Sequence, residues 1–460
     1  MNLLIVTPYL PYPPNTGGRA AQFSMLKAYP NDFSIRLIYQ VQGKEDAESA
    51  RKLEEEIDNL EVVLCDPFPE PSSTLVPEEK PSVLIKLLRL PARITWKLLF
   101  LYEVLIRKLA PKHQAEQVPV LAKAKQPRLP FPAYSEINAS LLRCIQNNLE
   151  WADLVQADFI DLLTLSSLSL DSLPIVFVAH QVHTSYVDSH FQSVDSFHEK
   201  RVLVNYHRQL TRLIERAFLD QYDAILVFSQ EDKDELISIG VERPVHVSPY
   251  TYPLDLKPVH PARLLDADWK RELVFVGSGE HGPNEQGLEW FLRHVYPILD
   301  DSEHGHAKPT LTVIGSWNHQ QRKKMEQQGV HFSGFVDDLS DAVKGRISIC
   351  PIQVGAGLRT KLLAAAMSSS PIVSTSLGCQ GIGMEHARHC LIADNPSDFA
   401  AQVMRLLDER LTLGADLAAH AYCLVQTEFS LDSVGRQRAE VYNRLWEELN
   451  AQSRTAKGRH

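Results

Sequence analysis

The sequence predicts an α/β protein built from two doubly wound, Rossmann-like domains that face each other across a cleft. Three observations predict it. Short continuous apolar runs recur with helical patterns between them, a glycine-bearing turn follows the first strand of each half, and the alternation restarts after a connector at about residue 251. "NLLIVTPY" (Asn2–Tyr9), "SIRLIYQV" (Ser34–Val41) and "NLEVVLCD" (Asn59–Asp66) read as the first buried strands, with "GGRAAQFSMLKAY" as the helix after the first. The rhythm breaks over 67–135 and resumes with "ADLVQAD" (Ala152–Asp158) and "LPIVFVAHQVH" (Leu173–His183). A polar helix over 195–220, "YDAILVFSQEDKDEL" (Tyr222–Leu236) and "VHVSPY" (Val245–Tyr250) complete the first unit, 1–250.

The second unit spans 251–428. It opens with "ELVFVGSGEHGPNEQGLEWFLRHVYP" (Glu272–Pro297) and continues through "PTLTVIGS" (Pro309–Ser316), "VHFSGFVDDLSDAV" (Val330–Val343) and "ISICPI" (Ile347–Ile352). "PIVSTS" (Pro371–Ser376) and "HCLIAD" (His389–Asp394) supply its last strands. An amphipathic helix at 432–450 is expected to cross back and complete the first domain, followed by a frayed polar tail.

Composition bounds the function. Hydrophobic content of 44% and charged content of 23% describe an ordinary globular chain, and a net charge of -10 argues against general nucleic-acid binding. The six cysteines show no CxxC pair, so free thiols in a reducing compartment are expected, and no zinc site. The N-terminus lacks the basic opening of a secretory signal, and no run of eighteen apolar residues occurs; a cytoplasmic protein is the expectation.

The stretch "PIQVGAGLRTKLLAAAMSSSPIVST" (Pro351–Thr375) carries the strongest chemical signal. Gly355 and Gly357 open a helix whose start bears Arg359 and Lys361, where cations oppose the helix dipole. An anion held between backbone N–H groups and two cations resolves that conflict. "GSGEHGPNEQG" is a second glycine turn before a helix, with Asn284 as an expected N-cap and no Arg or Lys from Gly277 to Gly287. Gly17 and Gly18 could let a ligand approach bare backbone, or could simply serve a strand-to-helix turn. His180 ends an apolar strand, where it could emerge into a cleft or serve as a satisfied structural residue, the commoner case for a lone histidine; His183 is a weaker second candidate. Asp266-Ala267-Asp268 spells a metal-binding pattern but precedes a strand instead of following one, so it reads as chance. No GxGxxG follows the first strand, which argues against a dehydrogenase.

Taken together, "PPNTGGR", "FVAHQ", "VFVGSGEHGPNEQGLEWF", "GFVDDL" and "PIQVGAGLRTKLLAAAMSSSPIVSTSLGCQGI" resemble, in order and position, the GT-B fold glycosyltransferases of family 4 (group 1). The resemblance implies retaining transfer from a nucleotide-diphosphate sugar, without metal or other cofactor, to a glycan, lipid-linked or protein acceptor in polysaccharide biosynthesis. It implies catalytic roles for His180, Arg359 and Lys361. It places Gly17, Gly18, Gly277, Ser278, Asn284, Phe335, Val336, Gly355, Gly357 and Leu358 around the donor, with Phe335 and Val336 at the base. The family's Glu-x7-Glu signature is absent, Ala356 and Ala364 standing at its two positions. A non-catalytic protein that binds a nucleotide-sugar or a partner transferase is therefore the competing reading. Residues 81–113 carry seven Lys/Arg among apolar residues; this composition suits an anionic membrane surface or a helical lobe with snorkelling lysines.

Overall fold

A computed structural model describes residues 1–14, 17–65, 137–168, 173–192, 198–252, 256–299, 308–355 and 357–457. The basic stretch 81–113 and Ala356 lie outside the described residues.

Seven parallel strands form the first sheet: β1 (Asn2–Thr7), β2 (Ser34–Gln40), β3 (Leu60–Cys65), β4 (Leu154–Asp158), β5 (Ile175–Val178), β6 (Ala224–Val227) and β7 (Val245–Val247). Their order is β3-β2-β1-β4-β5-β6-β7. Six more, all parallel, form the second: β8 (Glu272–Val276), β9 (Thr310–Ile314), β10 (Val330–Gly334), β11 (Ile347–Cys350), β12 (Ile372–Ser374) and β13 (Leu391–Ile392), in the order β10-β9-β8-β11-β12-β13. The apolar runs become strands because helices cover both faces; Leu3, Leu4, Ile5 and Val6 in β1 are wholly buried, as are Leu273, Val274 and Phe275 in β8. Each sheet reverses its winding once, between β1 and β4 in the first and between β8 and β11 in the second. A crevice opens beyond the strand ends at such a reversal, and ligands settle there.

The C-terminal helix runs over Leu431–Lys457, past the point where the sequence predicts a frayed tail. It lies on the helix Gly17–Ala28, and at Gly435 a Cβ would run into the carbonyl oxygen of Ala28. Gly435→Ala is therefore expected to destabilise the fold by about 1–3 kcal/mol, the overpacking cost exceeding the helix-propensity gain of roughly 1 kcal/mol. Thermal unfolding checks this; an unchanged or higher Tm contradicts the close approach.

Beneath this helix lies a buried polar network. Gln156 and Asp158 alternate along β4, and the Asp158 carboxylate accepts from Gln156 Nε2 and from Gln22 Nε2, both at 2.7 Å. Gln156 Oε1 accepts from the hydroxyls of Tyr29 (2.9 Å) and Tyr442 (2.5 Å). Arg438, 2% exposed, donates from Nε to Ser248 Oγ (2.9 Å) and from Nη2 to the Ser248 carbonyl (3.0 Å). Burial pushes the Asp158 carboxyl up to about 6, against its two amide hydrogen bonds and Arg438, which favour the charged form.

One expectation needs correction. Cys65 at the end of β3 and Cys144 on the helix Ala139–Gln146 form a disulfide, their Cα atoms 6.2 Å apart, within bridging range. They are 79 residues apart in sequence, and only the packing of that helix on β2 and β3 brings them together. Cys350, Cys379, Cys390 and Cys423 are free thiols. Among the described residues, no helix is long and apolar enough to cross a membrane.

Candidate functional site

The winding reversal of the second sheet gathers the predicted anion-binding residues. After β8 the chain turns through Gly277, Ser278 and His281 into the helix Gly282–Trp290. After β11 it turns through Gly355, Gly357 and Leu358 into the helix Thr360–Met367. The two helix starts are tied together. Lys361 Nζ donates to Asn284 Oδ1 across the gap, while Asn284 Nδ2 donates to the Ser278 carbonyl at 2.9 Å. A Cβ on Gly277 would approach Asn284 Nδ2 to 2.7 Å, so this turn requires glycine for close approach. Gly355 and Gly357 have φ of +120° and +80°, conformations that L side chains rarely adopt.

Asn284 is not the N-cap that the sequence suggests. His281 caps the helix, and Asn284 lies one turn inside it, where it orients Lys361 and the Ser278 peptide. Arg359 is the N-cap residue of the second helix, with extended backbone, and Lys361 is its second residue. Arg359 is 8% exposed and donates from Nη1 to the Gly357 carbonyl. Lys361 is partly buried, with its ammonium 4.7 Å from the centre of the Phe275 ring.

Burial lowers the Lys361 pKa to about 8; Cys350 acts against this shift and Arg359 adds to it by repulsion. Burial also lowers Arg359, opposed by Cys350, Tyr250 and Asp232. His281 is lowered in turn, first by desolvation and then by repulsion from Lys361 and Arg359. His281 stands at the cap, N-terminal to Gly282-Pro283, and burial with the two neighbouring cations holds its imidazole down at about 4, so it adds no positive charge to a loop that carries no Arg or Lys. Holding Lys361 charged costs roughly 3 kcal/mol at this depth, which a bound anion would repay.

The strand ends extend the site. Gly277 N–H donates to the Ile314 carbonyl and Gly315 N–H to the Gly334 carbonyl, at 2.9 and 2.8 Å, so the ends of β8, β9 and β10 lie side by side. Gly334, at φ +75°, delivers Phe335, whose side chain is 72% exposed, and Val336, which packs on the core. Ala364 is 2% exposed and belongs to the hydrophobic core.

At the first sheet's reversal, Gly17 and Gly18 begin the helix Gly17–Ala28, and Gly18 would place a Cβ 4.0 Å from Phe159 Cε1. Phe159 follows β4 with φ +68° and ψ 154°, a region normally reserved for glycine, which costs about 1–3 kcal/mol. Its ring stacks on His180, centroids 3.6 Å apart and planes at 11°, while Tyr9 meets it edge-on at 5.0 Å. His180 Nε2 is buried with no hydrogen-bond partner, and burial, with Arg438 in support, pushes the imidazole down to about 3. His180 is therefore neutral at physiological pH. His183 is 4% exposed, and its N–H donates to Glu215, placing it in the helix packing. Sequence reasoning missed Phe159 and Tyr9, although Tyr9 stands two residues beyond β1.

The two crevices meet. Gly357 would bring a Cβ to 3.2 Å from the His180 carbonyl, and the Tyr250 hydroxyl donates to the Leu358 carbonyl at 2.6 Å. The glycine-arginine loop of the second sheet thus sits against the strand end that carries His180.

Two Rossmann-like parallel sheets, each with glycine-bearing loops at its winding reversal, form a two-domain architecture of the GT-B type. Residues 270–409, which hold the second sheet, match the family of glycosyl transferases group 1. A Klebsiella pneumoniae protein described as an uncharacterised 44.6 kDa protein in a cps region is 23% identical over 283 residues, 59% of this chain and 69% of that protein. Among solved structures, the Anabaena protein HepE in complex with UDP and glucose superposes with a TM-score of 0.58 at 13% identity, covering 96% of this chain and 99% of that one. Sucrose-phosphate synthase from Thermosynechococcus elongatus gives 0.62 at 13% identity, covering 97% and 100%. TarM gives 0.60 at 10% identity, covering 97% and 98%.

Proposed function

We propose that this chain is a retaining glycosyltransferase that moves a sugar from a nucleotide-diphosphate donor to a saccharide-bearing acceptor. The single observation that carries the proposal is the seat of Arg359 and Lys361, two cations sunk between two helix starts with Lys361 lowered to about 8. In the reading, the diphosphate lies across the N–H groups of Gly277, Ser278, Gly355, Gly357 and Leu358, with Arg359 and Lys361 taking its charge. Asn284 holds Lys361 in place. The nucleotide base rests on Phe335 and Val336, and the transferred sugar faces Gly17, Gly18 and His180.

The chemistry follows from that placement. The donor's anomeric C–O bond breaks toward the diphosphate, and the acceptor oxygen attacks the same face. The acceptor's proton passes to the leaving phosphate oxygen. Arg359, Lys361 and the loop N–H groups stabilise the charge that develops there, so neither a metal nor another cofactor is required by this reading. In this reading neutral His180 lines the sugar side, where an imidazole nitrogen can donate or accept one hydrogen bond. The cps-region relative supports polysaccharide biosynthesis as the setting, and the basic apolar composition of 81–113 supports contact with an anionic membrane surface on its cytoplasmic face.

The alanine at 364 favours a second reading, donor binding without transfer. A thermal-shift screen with UDP- and GDP-sugars, followed by donor hydrolysis assays, separates the two. A donor at a hundred times its Kd is expected to stabilise the protein by about 2.7 kcal/mol. Stabilisation with turnover supports the enzyme, stabilisation without it supports the binding protein, and no shift with any nucleotide overturns both.

A further inference from the structure

We propose that Tyr9, Phe159 and Asp161 form a saccharide-binding subsite, and that the acceptor's sugar ring stacks on Tyr9 while its hydroxyls bond the Asp161 carboxylate. The inference rests on the transferase reading above and adds to it the residues that hold the acceptor's sugar.

Several linked features meet at this spot. Tyr9 is 42% exposed at the crevice of the first sheet, with its ring edge-on to Phe159, so one face of the ring is open to a ligand. The Tyr9 hydroxyl donates to Asp161 Oδ2 at 3.5 Å, which leaves most of that carboxylate's acceptor capacity for other donors. Phe159 holds its φ of +68° to lie between Tyr9 and His180, and strained backbone of this kind concentrates where function over-determines it. The buried, unpartnered Nε2 of His180 marks the inner end of the row.

The row has a direction. It begins at the Gly357 loop, where an added Cβ would come within 3.2 Å of the His180 carbonyl, and passes through Phe159 to Tyr9 and Asp161. With the diphosphate at the Gly357 end, the outer end is where an acceptor ring approaches the reacting carbon. A flat apolar surface beside a carboxylate fits the two faces of a pyranose, its C–H groups on the ring and its hydroxyls on the oxygens. Burial raises the Asp161 pKa, an effect its own backbone and the Tyr9 hydroxyl oppose, so each hydroxyl donated by a sugar replaces lost water.

The test uses the full chain and a panel of methyl α- and β-hexopyranosides of glucose, galactose, mannose and N-acetylglucosamine, read by saturation-transfer difference NMR with UDP present. At least one glycoside is expected to show transfer to its ring C–H protons. Tyr9→Ala is expected to weaken that binding at least tenfold, Tyr9→Phe to keep the ring contact, and Asp161→Asn to weaken binding without removing it. Thermal stabilisation by UDP is expected to be the same in all three variants. No transfer from any glycoside, or equal transfer in Tyr9→Ala, overturns the subsite. Loss of the UDP effect in Tyr9→Ala also overturns it, by moving Tyr9 to the donor. If UDP fails to stabilise the wild-type chain while a glycoside still binds through Tyr9, the transferase reading falls and the subsite stands.

Discussion

Replacing Arg359 and Lys361 together by alanine is expected to abolish stabilisation by nucleotide-diphosphate sugars and to lower turnover by two to four orders of magnitude. Each side chain would make a charge-assisted hydrogen bond to phosphate worth about 1.5–3 kcal/mol, and the two together span that range of rate or affinity. The same residues burden the empty protein. Lys361 sits with its pKa at about 8 because burial and Arg359 oppose its charge. Lys361→Met keeps the stem over Phe275 and removes the ammonium. It is expected to raise the stability of the free chain at pH 7 by about 1–2 kcal/mol, the desolvation relieved less the Asn284 bond lost.

The pH dependence has a definite sign. The folded pKa of Lys361 lies below its unfolded value of 10.5, so the unfolded state binds more protons between about 8 and 10.5. Stability of the free protein from this group therefore rises with pH across that window. Donor affinity moves the other way, because the anion favours charged Lys361, and it falls as pH passes above about 8. Titrating Kd for UDP from pH 7 to 9.5 in wild type and in Lys361→Arg checks this, since arginine stays charged throughout. An unaffected rate in the double variant, or a flat affinity profile in wild type, would remove these residues from the diphosphate.

Much of the architecture was legible because its signals are local. A parallel strand covered on both faces must be apolar throughout, and "NLLIVT", "ELVFV" and "ISIC" announce themselves. The clustering of Gly355, Gly357, Arg359 and Lys361 at one helix start was legible for the same reason, since those residues are adjacent in sequence. What stayed hidden is non-local. His281 became relevant only when Lys361, 80 positions later, arrived beside it. Asn284 looked like a cap and proved to be a brace for Lys361, a contact across 77 residues. Phe159 carries no sequence mark of its left-handed backbone. The alternation of Gln156 and Asp158 within an otherwise apolar strand was a usable sign of a buried polar network, but its partners lie 127 to 286 residues away for Gln156. The Cys65–Cys144 bridge belongs to the same class.

That network makes Arg438→Met the substitution with the largest expected effect on stability, a loss of about 3–5 kcal/mol. Arg438 is fully enclosed, and its guanidinium holds the Ser248 hydroxyl and carbonyl while favouring the charged form of Asp158. Methionine fills similar volume, so the loss comes from leaving buried charge and acceptors without their partner. The pH dependence separates this cause from simple packing. Asp158 has a folded pKa of about 6 against 3.8 unfolded, so the folded state binds more protons between those values. Its contribution to stability therefore grows as pH falls from above 6 toward 4. Without Arg438 the carboxyl rises further, and the window widens upward. Arg438→Met should then recover part of its lost stability between pH 8 and pH 5, relative to wild type measured in parallel. Asp158→Asn in the Arg438→Met background should recover it at pH 8, because the amide removes the charge while keeping an acceptor for one of the two glutamine donors. Equal deficits at pH 5 and pH 8, with no rescue by Asp158→Asn, would show that Arg438 serves only to fill space between the C-terminal helix and the first sheet.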